Sequence, residues 1–166
     1  MKLYVTYCSG DKCDGVYTPD VLYKSGRISH FVKQCSKAKH EWAVFSALHG
    51  FFFPREKKEN YDLTFKTKRN HWLGIAVVMN GHELPYDKSR KYLLQLAEKL
   101  TKQIRDHNVE QIVFYGPAPK MMKCYLGVLH YAVDGCSESH GWNDLIEHVK
   151  GQSKMISIIH SLKPEH

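Results

Sequence analysis

Three short apolar runs constrain this chain more than any other feature: KLYVTY at 2–7, EWAVFSA at 41–47 and QIVFY at 111–115. Each has strand length rather than helix length, and each is followed by turn-forming residues. Leu3, Val5 and Tyr7 alternate along the first run. Between the runs the spacing turns helical. Asp20 can cap a helix running to about Lys39, with Ile28, Phe31, Val32 and Cys35 as its apolar stripe. Tyr86 to His107 reads as the clearest helix, with Leu93, Leu96, Ala97, Leu100 and Ile104 on one face and lysines and arginines on the other. Residues 118–132 read as a further helix, and about 142–161 as a last one with Leu145, Val149, Ile156 and Ile159 facing inward. HWLGIAVVM at 71–79 is either a strand or a short buried helix, because periodicity does not separate the two in so short a run. Strands alternating with helices predict an α/β fold. The expectation is a single three-layer domain over residues 1–166, with a mainly parallel sheet and helices on both faces. Residues 48–70 show no clear period and read as one long excursion, of a length that usually carries function.

Composition narrows the class. The chain has 166 residues, 43% hydrophobic and 25% charged, which is globular rather than disordered. Its longest apolar stretches, such as LGIAVVM at 73–79, fall far short of the roughly 20 residues of a membrane span. MKLYVTYCSG lacks the apolar core and small-residue site of a secretory signal, so the expected location is cytoplasmic, with no membrane partner. Five cysteines predict free thiols rather than a disulfide framework. Cys8 and Cys13 form one spaced pair with no second pair, so no metal site is expected. A net charge of +7 points to an anionic partner, a nucleotide or nucleic acid, or else to a solvated basic surface. Nothing in the sequence names a cofactor or an oligomeric state.

The site prediction comes from the strand ends. In open α/β sheets ligands bind beyond the carboxyl ends of the parallel strands. The first run ends in Cys8-Ser9-Gly10-Asp11-Lys12, the second in Ser46-Ala47-Leu48-His49-Gly50, the third in Tyr115-Gly116-Pro117. If the strands are parallel neighbours, these groups meet on one rim. Gly10 permits a positive φ, which lets backbone amides form an anion-binding nest, or it is a simple turn. Ser9 adds a hydroxyl. Lys12 supplies a positive charge, or is a solvated lysine. Cys8 is a nucleophile or a small buried hydrophobe. His49 is an acid–base group or a packing histidine. On the excursion, Asp62 can accept a hydrogen bond from a base or ribose or take a proton, and Tyr61 can stack on a base. The alternative is a turn in which Asp62 pairs with a nearby lysine. Lys57, Lys58, Lys66, Lys68 and Arg69 either track phosphates or belong to a solvated loop.

Taken together, YCSGDKCDG, VLYKSGRISHF, FSALHGFFFP and ENYDLTF resemble an uncharacterised microbial family whose members read CSxxK…LYxGxxF…SAKHGLLxPxxxixPYDLTL. The resemblance covers residues 3–66 well and the remainder only in layout. It departs at Leu48, where the family carries lysine, and at Asn60, where it carries proline, so no anion-binding role passes to position 48. The segment from Leu48 to Lys68 is also similar to YGLLRP…PYRLEMGTKL of the peroxide-stress DNA-binding family. The YCSGDK turn is similar to the PCSxxKPY turn of archaeosine synthase, matching at Cys8, Ser9 and Lys12 only. Both likenesses imply bases or nucleic acid as partners. The resulting expectation is a nucleobase- or nucleotide-binding protein of nucleic-acid modification or repair. Lys12, His49 and Asp62 are its candidate catalytic groups, and Cys8, Ser9, Gly10, Ser46, Gly50, Tyr61, Tyr115 and Gly116 its candidate ligand contacts. The alternative is a DNA- or RNA-binding protein without catalysis.

Overall fold

The computed structural model describes residues 1–117, 119–134 and 155–162. In chain order the elements are β1 (Lys2–Tyr7), β2 (Val16–Tyr17), α1 (Pro19–Leu22), α2 (Gly26–Ala38), β3 (Glu41–Ser46), β4 (Gly50–Phe52), β5 (Lys58–Glu59), β6 (Leu63–Thr67), β7 (Ile75–Met79), β8 (His82–Glu83), α3 (Tyr86–Asp106), β9 (Gln111–Tyr115), α4 (Pro119–Asp134) and β10 (Ile156–Ile159). Helices and strands are mixed, and the main sheet has the order β10-β9-β1-β3-β4. Its first four strands are parallel; β4 returns antiparallel to β3.

Residues 2–7 form a central strand because both of its faces are covered. After the exposed Lys2, every residue of β1 is buried. Neighbouring residues of a strand point to opposite faces. On β9, Tyr115 stacks on Phe31 of α2 with ring centroids 6.0 Å apart. Phe114 faces the other way, beside Tyr7, which stacks on Tyr125 of α4 at 5.4 Å. Helices α2 and α4 therefore lie against opposite faces of the sheet.

The chain goes from β1 to β3 on one side, and later to β9 on the other. The order reverses at β1 and β9, and the crevice at their carboxyl ends is the topological switch point.

Three expectations are corrected. The helix from Asp20 to Lys39 is two elements. Lys12 bridges to Tyr23 and interrupts them, and the Ser25 hydroxyl accepts from the Ile28 amide to start α2 afresh. Residues 156–159, expected at the end of a helix, are strand β10 paired with β9; the rest of that expected helix lies outside the described residues, except for Met155, His160 and Ser161. The expected mainly parallel sheet is not the whole of the strand content. The excursion at 48–70 contributes β4, β5 and β6, and residues 71–79 resolve into a 3₁₀ turn (Trp72–Gly74) followed by β7. The strands β6, β7 and β8 make a separate antiparallel sheet, turned at Asn80-Gly81 with φ of 52° and 78°. Ser89 fastens it to α3: its buried hydroxyl accepts from the Val77 amide and donates to the Leu84 carbonyl. Among the described residues no helix is long and apolar enough to cross a membrane.

The turn from β3 into β4 has a strict requirement. Gly50 sits at φ +71°, and a Cβ there would come within 2.6 Å of Gln103 Oε1. That amide cannot give way cheaply. It accepts from the Phe51 amide at 2.8 Å while its Nε2 donates to the Phe51 carbonyl at 2.9 Å, and so it seals the open edge of β4. Gly50→Ala is expected to lower unfolding free energy by about 1–3 kcal/mol in urea denaturation, from left-handed strain and the lost amide pair. An unchanged midpoint contradicts this role.

Candidate functional site

Two groups of side chains gather at the carboxyl ends of the strands, on either side of the Cys8–Lys12 turn. The first group surrounds a hollow of about 540 Å³. The end of β1 and the turn after it form its floor, with Tyr7, Cys8, Ser9 and Gly10. Ser25 and Arg27 come from the start of α2, Thr64, Phe65 and Thr67 from β6, Pro117 from the end of β9, and Cys124 and Tyr125 from α4.

Arg27 dominates this hollow. It is half-buried, and its Nη1 donates to the Thr6 hydroxyl and to the Tyr7 carbonyl, both at 2.7 Å. Its Nη2 donates to the Cys8 carbonyl at 3.3 Å. The guanidinium lies over the Tyr7 ring, 3.6 Å from its centroid. Burial lowers its pKa, and the groups that act on its charge are Tyr7, Cys8, Tyr125 and Tyr115, with no carboxylate among them. Cys8 is buried, with its amide on the Phe45 carbonyl and its sulfur hydrogen-bonded to Tyr125 Oη at 3.4 Å. Burial holds the Tyr125 phenol well above its ordinary range and pushes the Cys124 thiol up to about 12, so both face the hollow as neutral groups at pH 7.

The second group is a chain of hydroxyls. Ser46 is fully buried at the end of β3 and accepts from the amides of Leu48 and His49, capping the turn. It donates to Tyr61 Oη at 2.8 Å, and Tyr61 Oη is 2.6 Å from Tyr23 Oη. Burial raises the pKa of both phenols. Lys12 lays its ammonium on the Tyr61 ring, 4.2 Å from the centroid, and donates to the Gly10 carbonyl. Burial lowers the Lys12 pKa, against the opposing pull of Cys8, Asp62 and Asp11. His49 stands edge-on to Phe52 and Tyr61, and its Nε2 is buried without a hydrogen-bond partner among the described residues. Burial, with the Lys58 and Lys99 charges, takes its pKa down to about 4, so the ring is neutral at pH 7.

The predicted residues thus divide. Cys8, Ser9 and Gly10 line the hollow. Lys12, Ser46, His49 and Tyr61 come together in the hydroxyl cluster, outside it. Asp62 is exposed beside them and reaches Lys12 only through its charge. Gly50 serves the β4 turn. Tyr115 is packed on Phe31, and Gly116, where a Cβ would collide with Met122, bonds to β10 through its amide and to His160 through its carbonyl. Gly10 is corrected: its φ is not positive, so no nest is built on a left-handed glycine there. The outer lysines Lys66 and Lys68 share Glu83 and are not free phosphate contacts. Among the described residues the cysteines are free and no cluster of ligands suits a metal ion.

Arg27, Phe65 and Tyr125, together with Tyr7, Ser25, Thr64 and Thr67, are site residues that pattern reading missed. The available signal for Arg27 was its place at the start of the helix that follows the first strand, where side chains reach the strand's carboxyl end.

No family model, no curated protein and no solved structure matches this chain.

His49 makes a pH prediction. Its folded pKa of about 4 lies below the ordinary 6.5, so the unfolded chain binds the proton first as pH falls. Its contribution is therefore present above 6.5 and is lost progressively down to about 4. Replacing it, His49→Phe, is expected to flatten the loss of thermal stability across that window. An identical pH profile in the variant contradicts the assignment.

Proposed function

We propose that this chain is a nucleobase- or nucleotide-binding protein of nucleic-acid modification or repair, with its ligand in the hollow at the carboxyl ends of β1 and β9. The single observation behind this is the composition of that hollow. Its volume lies in the range of small-ligand sites. Tyr7, Phe65 and Tyr125 bring aromatic rings to its wall, with Phe65 and Tyr125 5.0 Å apart, which suits a flat heterocycle. Ser9, Ser25, Thr64 and Thr67 bring hydroxyls that can meet a base edge or a ribose. We read the chain as one three-layer domain, and the location as the cytoplasm. The motif likenesses to base-modifying and DNA-binding families agree with this reading and rest on the motif residues alone.

The hydroxyl cluster has a supporting place in this scheme. Lys12 does not line the hollow, and its ammonium is occupied by Tyr61. Its role is to hold the turn that carries Cys8, Ser9 and Gly10. The groups best placed to meet a bound base are the Cys8 thiol and the Tyr125 hydroxyl.

Titration calorimetry or native mass spectrometry against bases, nucleosides, nucleotides and short oligonucleotides tests the reading. One equivalent of a mononucleoside or mononucleotide should bind. Phe65→Ala should weaken it at least about tenfold, in line with about 1–3 kcal/mol per stacked base. Lys12→Ala should leave affinity within about threefold, since no ion pair to the ligand is lost. Binding of oligonucleotides alone, growing with their length and falling steeply with salt, contradicts the hollow and identifies a surface nucleic-acid binder.

A further inference from the structure

We infer that the hollow contains a phosphate subsite centred on Arg27, so that its ligand is a phosphorylated nucleoside rather than a free base or nucleoside. This rests on the nucleobase reading and deepens it. The sequence offers Lys12 as the positive charge for an anion. The structure moves it. Lys12 turns away, onto the Tyr61 ring and the Gly10 carbonyl, while Arg27 lines the hollow.

The case is a count of charge and of donors. A guanidinium has five N–H groups. Arg27 commits three of them: two from Nη1, to the Thr6 hydroxyl and the Tyr7 carbonyl, and one from Nη2, to the Cys8 carbonyl. Among the described residues nothing accepts from the Nε proton or the second Nη2 proton. All three partners are neutral oxygens, and among the described residues no carboxylate is paired with Arg27. A half-buried arginine whose charge meets no carboxylate among the described residues costs solvation energy that an incoming anion returns. Hydroxyls share the hollow with it. Ser9 is on the turn that follows β1, and Ser25 immediately precedes α2; both line the hollow, as does Thr67 of β6. Ser25 already accepts from the Ile28 amide, and this leaves its own proton to donate. A guanidinium with N–H groups to spare and hydroxyl donors in one hollow is the chemistry that holds a phosphate monoester. The three existing bonds add a further property. They fix the guanidinium against the end of β1 before any ligand arrives, so little side-chain entropy is lost on binding. The aromatic wall formed by Phe65 and Tyr125 is shared with the base, which places base and phosphate in one hollow.

The test is calorimetry of a nucleoside, the matching nucleoside monophosphate, the matching dinucleotide and inorganic phosphate, each on the full chain. The monophosphate should bind at least about tenfold tighter than the nucleoside, and inorganic phosphate should compete with it, as expected for charge-assisted bonds. The gap should close to within about threefold in Arg27→Gln, and Arg27→Lys, which keeps the charge and loses the fork, should restore only part of it. Thermal melts accompany both variants, because Arg27 also braces β1. If Arg27→Gln does not fold, the wild-type comparison and the Arg27→Lys result decide. Equal affinity for nucleoside and monophosphate overturns the phosphate subsite while leaving the nucleobase reading in place. Phosphate binding without any nucleoside selectivity supports the subsite and overturns the nucleobase reading. Failure of phosphate and of every nucleotide overturns the subsite. A dinucleotide as tight as the monophosphate supports it and locates the phosphate within a nucleic-acid chain.

Discussion

The structure depends on a short chain of hydrogen bonds through Thr6. This side chain is fully buried. It donates to the Tyr115 carbonyl at 2.9 Å and accepts from Arg27 Nη1 at 2.7 Å. One hydroxyl thereby joins the ends of β1 and β9 to the first turn of α2. Its acceptor role carries a charge-assisted bond, of the kind worth about 1.5–3 kcal/mol, and its removal would leave buried partners unsatisfied. The same guanidinium then takes the last carbonyls of β1. The carboxyl end of β1, at the switch point of the sheet, is thus braced by polar groups.

The Cys8–Lys12 turn separates the crevice at that switch point from the hydroxyl cluster, and the two behave differently. In the crevice the Arg27 charge meets no carboxylate among the described residues. In the cluster the hydroxyls answer one another, from the turn amides to Ser46, Tyr61 and Tyr23, and the ammonium of Lys12 rests on an aromatic face, with His49 Nε2 the exception. A network satisfied in this way stiffens the structure around it. Its effect is to hold the loop carrying Tyr61 against the end of β3, and so to position β6, whose Thr64, Phe65 and Thr67 close the hollow from above.

How much of this could be read from the residues varies with burial. The strands β1, β3 and β9 have covered faces and write themselves as apolar runs, and α3 shows its stripe of Leu93, Leu96, Ala97 and Leu100. β6 lies in a half-exposed antiparallel ribbon, so LTFKT mixes polar and apolar residues and carries no clear signal; the Asn80-Gly81 hairpin pair was the cue nearby. Ile156 and Ile159 fit a helical stripe as well as a strand, and only pairing with β9 decides between them. The rim residues after β1 and β3 were legible because a plain turn needs the glycine but not a thiol, an ammonium or an imidazole beside it. Tyr115 was not, since its side chain points to the α2 face and packs on Phe31. Arg27 and Tyr125 sit on helices whose pattern explains them as surface and core. Only the tertiary arrangement gives them a shared cavity.

The most direct test of this account is a crystal structure of the full chain with a nucleoside monophosphate bound. The account predicts the base against Phe65 and Tyr125 and the phosphate on the Arg27 guanidinium, with the Arg27 bonds to Thr6 and to the Tyr7 and Cys8 carbonyls unchanged. A ligand seated elsewhere, on the outer face of β6 or against Lys12 and His49 with the hollow empty, contradicts it.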